Sequence, residues 1–143
     1  MVQNPKPKIF LADDTAIKEI MAILADTSVW IDYLRQGDSD LAKQVHDGNI
    51  VMHGMILGEL AVGNFKQRKL LLKRWRSLPS IATAADSQVL DFLESHQLMG
   101  KGIGWIDLHL LTAVSLSEET LLWTRDKRLK AIAAELGIAT SLL

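Results

Sequence analysis

From residue 22 onward, short apolar runs of strand length alternate with longer segments whose apolar residues recur every three or four positions. An apolar run of that length suits a strand buried on both faces, and the longer recurrence suits a helix with one core-facing stripe. AILAD (22–26) reads as a strand, and SVWIDYLR follows as a helix with Trp30, Ile31 and Leu34 on one side. After Gly37, SDLAKQVHDG is a second helix, capped by Ser39 or Asp40 and stopped by Gly48. NIVMHG is the second strand and leads into the helical MILGELAVG; KQRKLLLKRWRSL is a strongly periodic helix ending before Pro79. SQVLDFLESHQL is helical, GKGIG makes a glycine-rich turn, and WIDLHLLTAVSL is a nearly all-apolar helix. TLLWT is a strand, DKRLKAIAAELG a helix closed by Gly137, and IATSLL a last short strand or tail. Without an Asn-Gly hairpin signal, this alternation predicts a parallel sheet wrapped by helices, a three-layer α/β architecture.

The chain has 143 residues, enough for one domain with a sizeable core. Sixteen Lys and Arg against seventeen Asp and Glu give a net charge of −1, which excludes an overall basic nucleic-acid binder but not a local basic face. There is no cysteine, hence no disulfide and no thiolate metal site. No apolar run approaches the roughly 18 residues of a membrane span, and MVQNPKPKIFLADD turns acidic where a signal peptide needs its cleavage site. A cytoplasmic protein without a membrane partner is expected. Residues 1–20 sit outside the alternation, and Met21 stands where an initiator would if the domain began at MAILAD, so they read as an extension to a domain at 21–143. The extension repeats the tripeptide LAD, at Leu11–Asp13 and again at Leu24–Asp26. Asp13 and Asp14 resemble the acidic pair of a receiver domain, but no phosphoacceptor strand or lysine completes that pattern.

Four carboxylates stand at or near element ends. Asp26 closes the first strand and Asp126 directly follows TLLWT; in parallel sheets ligands gather at the carboxyl ends of strands. Asp107 lies in the first turn of WIDLHLLTAVSL, and Glu59 lies within MILGELAVG. Each has a structural use. Asp26 and Asp126 suit helix N-caps, Asp107 gains about 0.3–1 kcal/mol at a helix N-terminus, and Glu59 suits a solvated helix surface. Yet Glu59 is surrounded in sequence by Leu57, Leu60, Ala61 and Val62, and Asp107 by Trp105, Ile106, Leu108, Leu110 and Leu111, so neither is expected on a solvated face. An ionised carboxylate in such surroundings needs a partner, and no Lys or Arg lies at helical spacing. Clustered carboxylates also repel, a pair about 4 Å apart by roughly 4 kcal/mol at an effective dielectric near 20. A hard divalent cation removes that penalty, and oxygen-only ligands favour Mg²⁺ or Mn²⁺ over Zn²⁺. The constellation reads as a magnesium site that handles phosphates.

In this order and spacing, ADTSVWIDYL, GEL, GIGWIDLHLL and LWTRDKRL resemble the PIN-domain ribonucleases, specifically the VapC-type toxins of toxin–antitoxin pairs. The resemblance covers residues 22 to about 139. It implies a three-layer α/β/α PIN-like fold with a central, mostly parallel sheet. The family's acidic quartet falls on Asp26, Glu59, Asp107 and Asp126, and its hydroxyl residues on Thr27 or Ser28 and on Thr124. It implies an endoribonuclease using Mg²⁺, with Mn²⁺ as substitute. Asp26 and Asp107 would hold the metal, with Glu59 and Asp126 directly or through water. A metal-activated water would leave a 5′-phosphate and a 3′-hydroxyl, and Glu59 is the assigned general base. Arg125, Lys127 and Arg128 are the residues expected on substrate phosphates. The partners implied are RNA, a cognate VapB-like antitoxin that sends an arginine into the acid cluster, and a second copy in a homodimer. The extension departs from the family pattern.

Other readings rank lower. His53 and His109 would suit a metal-free acid–base ribonuclease, although His109 is better read as a packed, hydrogen-bonded residue; His46 and His96 read as surface residues. GKGIG lacks the Lys-Ser/Thr ending of a phosphate loop. Lys66, Lys69, Lys73 and Arg76 form a basic stripe, with Leu71, Trp75 and Leu78 on another face. It reads first as a solvated face over a core stripe, second as a phosphate-tracking surface or part of a groove for a partner helix. A non-cleaving PIN-like RNA- or protein-binding module is the alternative function. A phosphotransferase of the haloacid dehalogenase type would want a second Asp where Ser28 stands.

Overall fold

The computed structural model describes residues 22–143; the readings of the extension, including the first LAD, lie outside the described residues. The elements are β1 (Ala22–Ala25), α1 (Thr27–Gln36), α2 (Ser39–His46), β2 (Ile50–Val51), α3 (Gly54–Ala61), α4 (Arg68–Arg76), α5 (Asp86–His96), α6 (Trp105–Leu116), β3 (Thr120–Trp123) and α7 (Lys127–Glu135). The strands pair in the order β2-β1-β3, all parallel. Parallel neighbours need crossovers long enough to hold helices, and helices are what lie between them. The result is the three-layer α/β/α fold expected.

β1 is the middle strand, and its register is Ile23 to Ile50 on one side and Ala25 to Trp123 on the other. Covered on both faces, β1 and β3 consist almost wholly of buried residues. Single bridges widen the sheet beyond its named strands, Met52 to Ser80 and Leu122 to Ala139. The expected strand NIVMHG is thus only two residues long plus one bridge, and IATSLL contributes one bridge. α6 runs buried from Leu108 to Val114, which is why its sequence is apolar all round. On α4, Trp75 packs against Trp30 and Phe65, with ring centroids 5.4 and 5.6 Å apart. Lys66, Lys69, Lys73 and Arg76 are exposed, as a solvated stripe should be. The cap of α2 is Asp38, whose carboxylate accepts from the Leu41 N–H at 2.9 Å; it is neither Ser39 nor Asp40, because the extended residue lies one place earlier.

Candidate active site

The β1–β3 register places Asp26 beside Thr124, one step past the last paired residues at the carboxyl edge of the sheet. The Asp26 N–H donates to the Trp123 carbonyl at 2.9 Å. Its carboxylate is clasped from two sides. Ser28 donates to Oδ1 through both its amide, at 2.9 Å, and its hydroxyl, and the Thr124 hydroxyl donates to Oδ2 at 2.5 Å. Of the two hydroxyls expected after the first aspartate, Ser28 makes the contact; among the described residues Thr27 makes none to Asp26. The Ser28 hydroxyl also accepts from the Arg125 N–H at 2.9 Å, and the Thr124 hydroxyl from the Asp126 N–H at 3.1 Å. Two short side chains thereby join the end of β1 to the start of α7.

Asp26, 5% exposed, pays for its position. Burial pushes its carboxyl above the usual carboxylate range, and the bonds from Ser28, Thr124 and Val29 offset this only in part. Asp107 is half-buried in the first turn of α6, where its Oδ2 accepts from the Gly104 N–H at 3.2 Å. Its carboxyl is also raised, first by burial, against the Gly104 bond, and then by the charges of Asp26 and Asp126. Asp26 and Asp126 thus each lie within electrostatic reach of Asp107. Asp126 is exposed and caps α7, its Oδ1 accepting from Arg128 and Leu129 at 3.0 Å each.

Glu59 is a correction to the environment expected of it. It is exposed, because Ile56 and Leu60 are the residues of α3 that turn into the core. Among the described residues no hydrogen bond or ion pair joins it to the three aspartates. No Lys, Arg or His forms an ion pair with any of the four acids among the described residues. Nor, among those residues, do three carboxylate or imidazole groups stand close enough to cage an ion as they are. The donor chemistry nonetheless fits a hard divalent cation: a buried carboxylate with no cationic partner, two more in reach, and only oxygen ligands. Among the described residues, Oδ1 of Asp107 and Oδ2 of Asp126 accept no hydrogen bond, and Glu59 is exposed.

Arg125, expected on substrate phosphates, is engaged within the chain. Its Nη1 donates to Asp32 at 2.8 Å, its Nη2 to Asp38, and its Nε to the Leu143 carbonyl at 2.9 Å, with the guanidinium 5.5 Å from the Trp123 ring centroid. Three of its five N–H donors, one on each nitrogen, are thus committed within the chain, and its plane is fixed by them. Asp32 and Asp38 were invisible to sequence reasoning, lying 93 and 87 residues from their partner. Lys127 and Arg128 are exposed. The Arg128 side chain lies against Gly102, whose φ of +84° and lack of a Cβ admit it.

His53 and His109 are 1% and 3% exposed, out of reach of a substrate as acid–base groups. His109 Nε2 bonds Asp86 at 3.0 Å and its ring meets Trp105 edge-on at 4.9 Å; His53 Nδ1 accepts from the Met55 N–H, capping α3. Both are packing residues, and His46 and His96 are exposed.

The chain matches the PIN domain family over residues 23–135. It is 41% identical over 117 residues to the protein named Ribonuclease VapC32 of Mycobacterium tuberculosis strain CDC 1551 / Oshkosh, covering 82% of this chain and 94% of that one. The protein of the same name in strain ATCC 25618 / H37Rv matches to the same extent.

Proposed function

The chain belongs to the PIN-domain ribonucleases of the VapC toxin type, and from that membership we propose that it is the endoribonuclease toxin of a toxin–antitoxin pair, dependent on Mg²⁺ or Mn²⁺. The observation that carries the metal reading is the buried Asp26 carboxylate, without a cationic partner among the described residues and in electrostatic reach of Asp107, which Asp126 also reaches. Asp26, Asp107 and Asp126 would hold the ion, with Glu59 completing the set from α3. When bound, the ion offsets charge gathering on the scissile phosphate and makes an attacking water more acidic.

The remaining work falls to the chain. Ser28 and Thr124 fix both oxygens of Asp26, so its orientation is set before substrate arrives. Glu59 takes a proton from the attacking water as its oxygen bonds phosphorus and the P–O3′ bond breaks; the leaving 3′ oxygen takes a proton from solvent, giving a 3′-hydroxyl and a 5′-phosphate. Lys127 and Arg128, at the N-terminus of α7, meet the flanking phosphates. The test is cleavage of an RNA panel by the full chain in Mg²⁺, in Mn²⁺ and in EDTA, with Asp26→Asn beside it. Cleavage in Mg²⁺ or Mn²⁺, absent in EDTA and lost in Asp26→Asn, is the expected result; activity in EDTA refutes the metal mechanism. Binding without cutting would favour a non-cleaving module.

The proposed partners are RNA, a VapB-like antitoxin and a second copy. Val62 is 87% exposed at the end of α3, and Leu70 is exposed on α4, which suits an antitoxin segment burying apolar side chains while its arginine enters the acid cluster. Expression alone should arrest growth, and co-expressed antitoxin should restore it.

A further inference from the structure

Arg125 sits between Thr124, which bonds Asp26, and Asp126, which caps α7. Thr124 and Arg125 are tied to the first half of the chain, and Asp126 is tied to Thr124 through its amide. The Arg125 amide donates to Ser28, and its side chain reaches Asp32 on α1 and Asp38 at the cap of α2. The clamp is partly buried, with side-chain exposures of 25% for Arg125, 33% for Asp32 and 11% for Asp38, so salt screens it less than a surface pair. A guanidinium bound to two carboxylates on different elements, over the Trp123 ring, has a fixed plane; a lysine ammonium could not span the same three acceptors.

The electrostatics give such a clamp something to hold. In the metal-free protein the Asp107 anion is disfavoured by the charges of both Asp26 and Asp126, a like-charge repulsion that a site holding these carboxylates has to withstand. The bonds through Thr124 and Ser28 oppose it only locally. The Arg125 ion pairs oppose it from outside the cluster without placing a cation inside it, where it would compete with a divalent ion. We propose that Arg125, Asp32 and Asp38 are positioning residues, a clamp that anchors the Thr124–Asp126 segment to α1 and α2 and so sets where Asp126 and Thr124 stand relative to Asp26 when a divalent cation arrives.

This rests on the metal-dependent reading of the site and makes predictions opposite to those of a phosphate-binding Arg125. The experiment measures Mn²⁺ affinity by calorimetry, and affinity for a single-stranded oligoribonucleotide in EDTA across a salt series. The full-length wild type is compared with Arg125→Gln, Arg125→Lys and the double variant Asp32→Asn/Asp38→Asn. Expected is an Mn²⁺ affinity lowered about tenfold or more in Arg125→Gln and in the double variant, as for other groups that orient metal ligands. Arg125→Lys should recover only part. RNA affinity and its salt slope should stay within about twofold of wild type. Unchanged Mn²⁺ affinity in folded variants overturns the clamp. So does weaker RNA binding with a shallower salt slope in Arg125→Gln, or tighter RNA binding once the two carboxylates are removed. Should Arg125→Gln fail to fold, the near-isosteric double variant decides. A wild type that neither binds Mn²⁺ nor cleaves RNA defeats the metal reading itself, and the clamp with it; a wild type that does both while the variants match it defeats the clamp alone.

Discussion

The Asp107 carboxyl is held above the usual carboxylate range by burial, which outweighs the Gly104 bond, and by the charges of Asp26 and Asp126. A carboxyl raised in the folded state binds its proton more tightly there than in the unfolded chain. Its contribution to metal-free stability is therefore full below the ordinary value of 3.8 and is lost as pH rises through the folded value. Asp107→Asn should melt a few degrees above wild type in EDTA at pH 7, with the gap closing towards pH 4. Loss of a favourable helix-end charge, about 0.3–1 kcal/mol, trims this gain. Mn²⁺ should stabilise the wild type and not the variant. Melting curves at several pH values check this, and a variant less stable than wild type at pH 7 would contradict it. Thr124→Val removes one of the donors that lowers the Asp26 pKa, so the acid limb of the kcat/KM profile should move to higher pH. An unmoved limb would mean that the Thr124 bond does not tune Asp26. The misjudged residue is Glu59. Leu57 and Leu60 beside it in sequence lie on other faces of α3, and neighbours along a helix say less about burial than residues three and four away.

Three of the four acids also organise a helix N-terminus, and this dual use explains what sequence could and could not reveal. Asp26 accepts from Ser28 in the first turn of α1, Asp107 from Gly104 ahead of α6, and Asp126 from two amides of α7. The capping roles considered for Asp26 and Asp126 are therefore real, and they do not compete with a chemical role, because each carboxylate oxygen has two lone pairs and a cap does not use them all. The two roles separate by substitution. Asp126→Asn should keep α7 capped, with stability within about 0.5 kcal/mol of wild type, while Asp126→Ala should cost about 1 kcal/mol. Both should lose most cleavage, and a fully active Asp126→Asn would remove Asp126 from the site. Denaturant melts beside an RNase assay read both effects. The helices were legible because their apolar stripes are local. The length of β2 was not, because Met52 leaves the β1 ladder and bridges to Ser80, a pairing that no local pattern announces.

At the scale of the molecule, β1 begins at Ala22 and the family match at residue 23, so all four acids lie in one unit that can be tested without the extension. A chain starting at Met21 should melt within about two degrees of the full chain, less than the shift about 1 kcal/mol would give, and cleave at the same rate. A large loss in either would give the extension a structural role. The site of this unit is assembled from distant parts. The Thr124–Asp26 bond closes a separation of 98 residues, and β1, as the middle strand, has to wait for β3 before its second edge is paired. On a ribosome adding about 5–20 residues per second, roughly 5–20 s pass between the emergence of Asp26 and that of Thr124. A half-made copy thus carries Asp26 held by Ser28 but without Thr124 or the β3 ladder. Cleavage by this nuclease has to wait until residues 120–126 have emerged, because Asp126 and the strand that fixes the end of β1 arrive together.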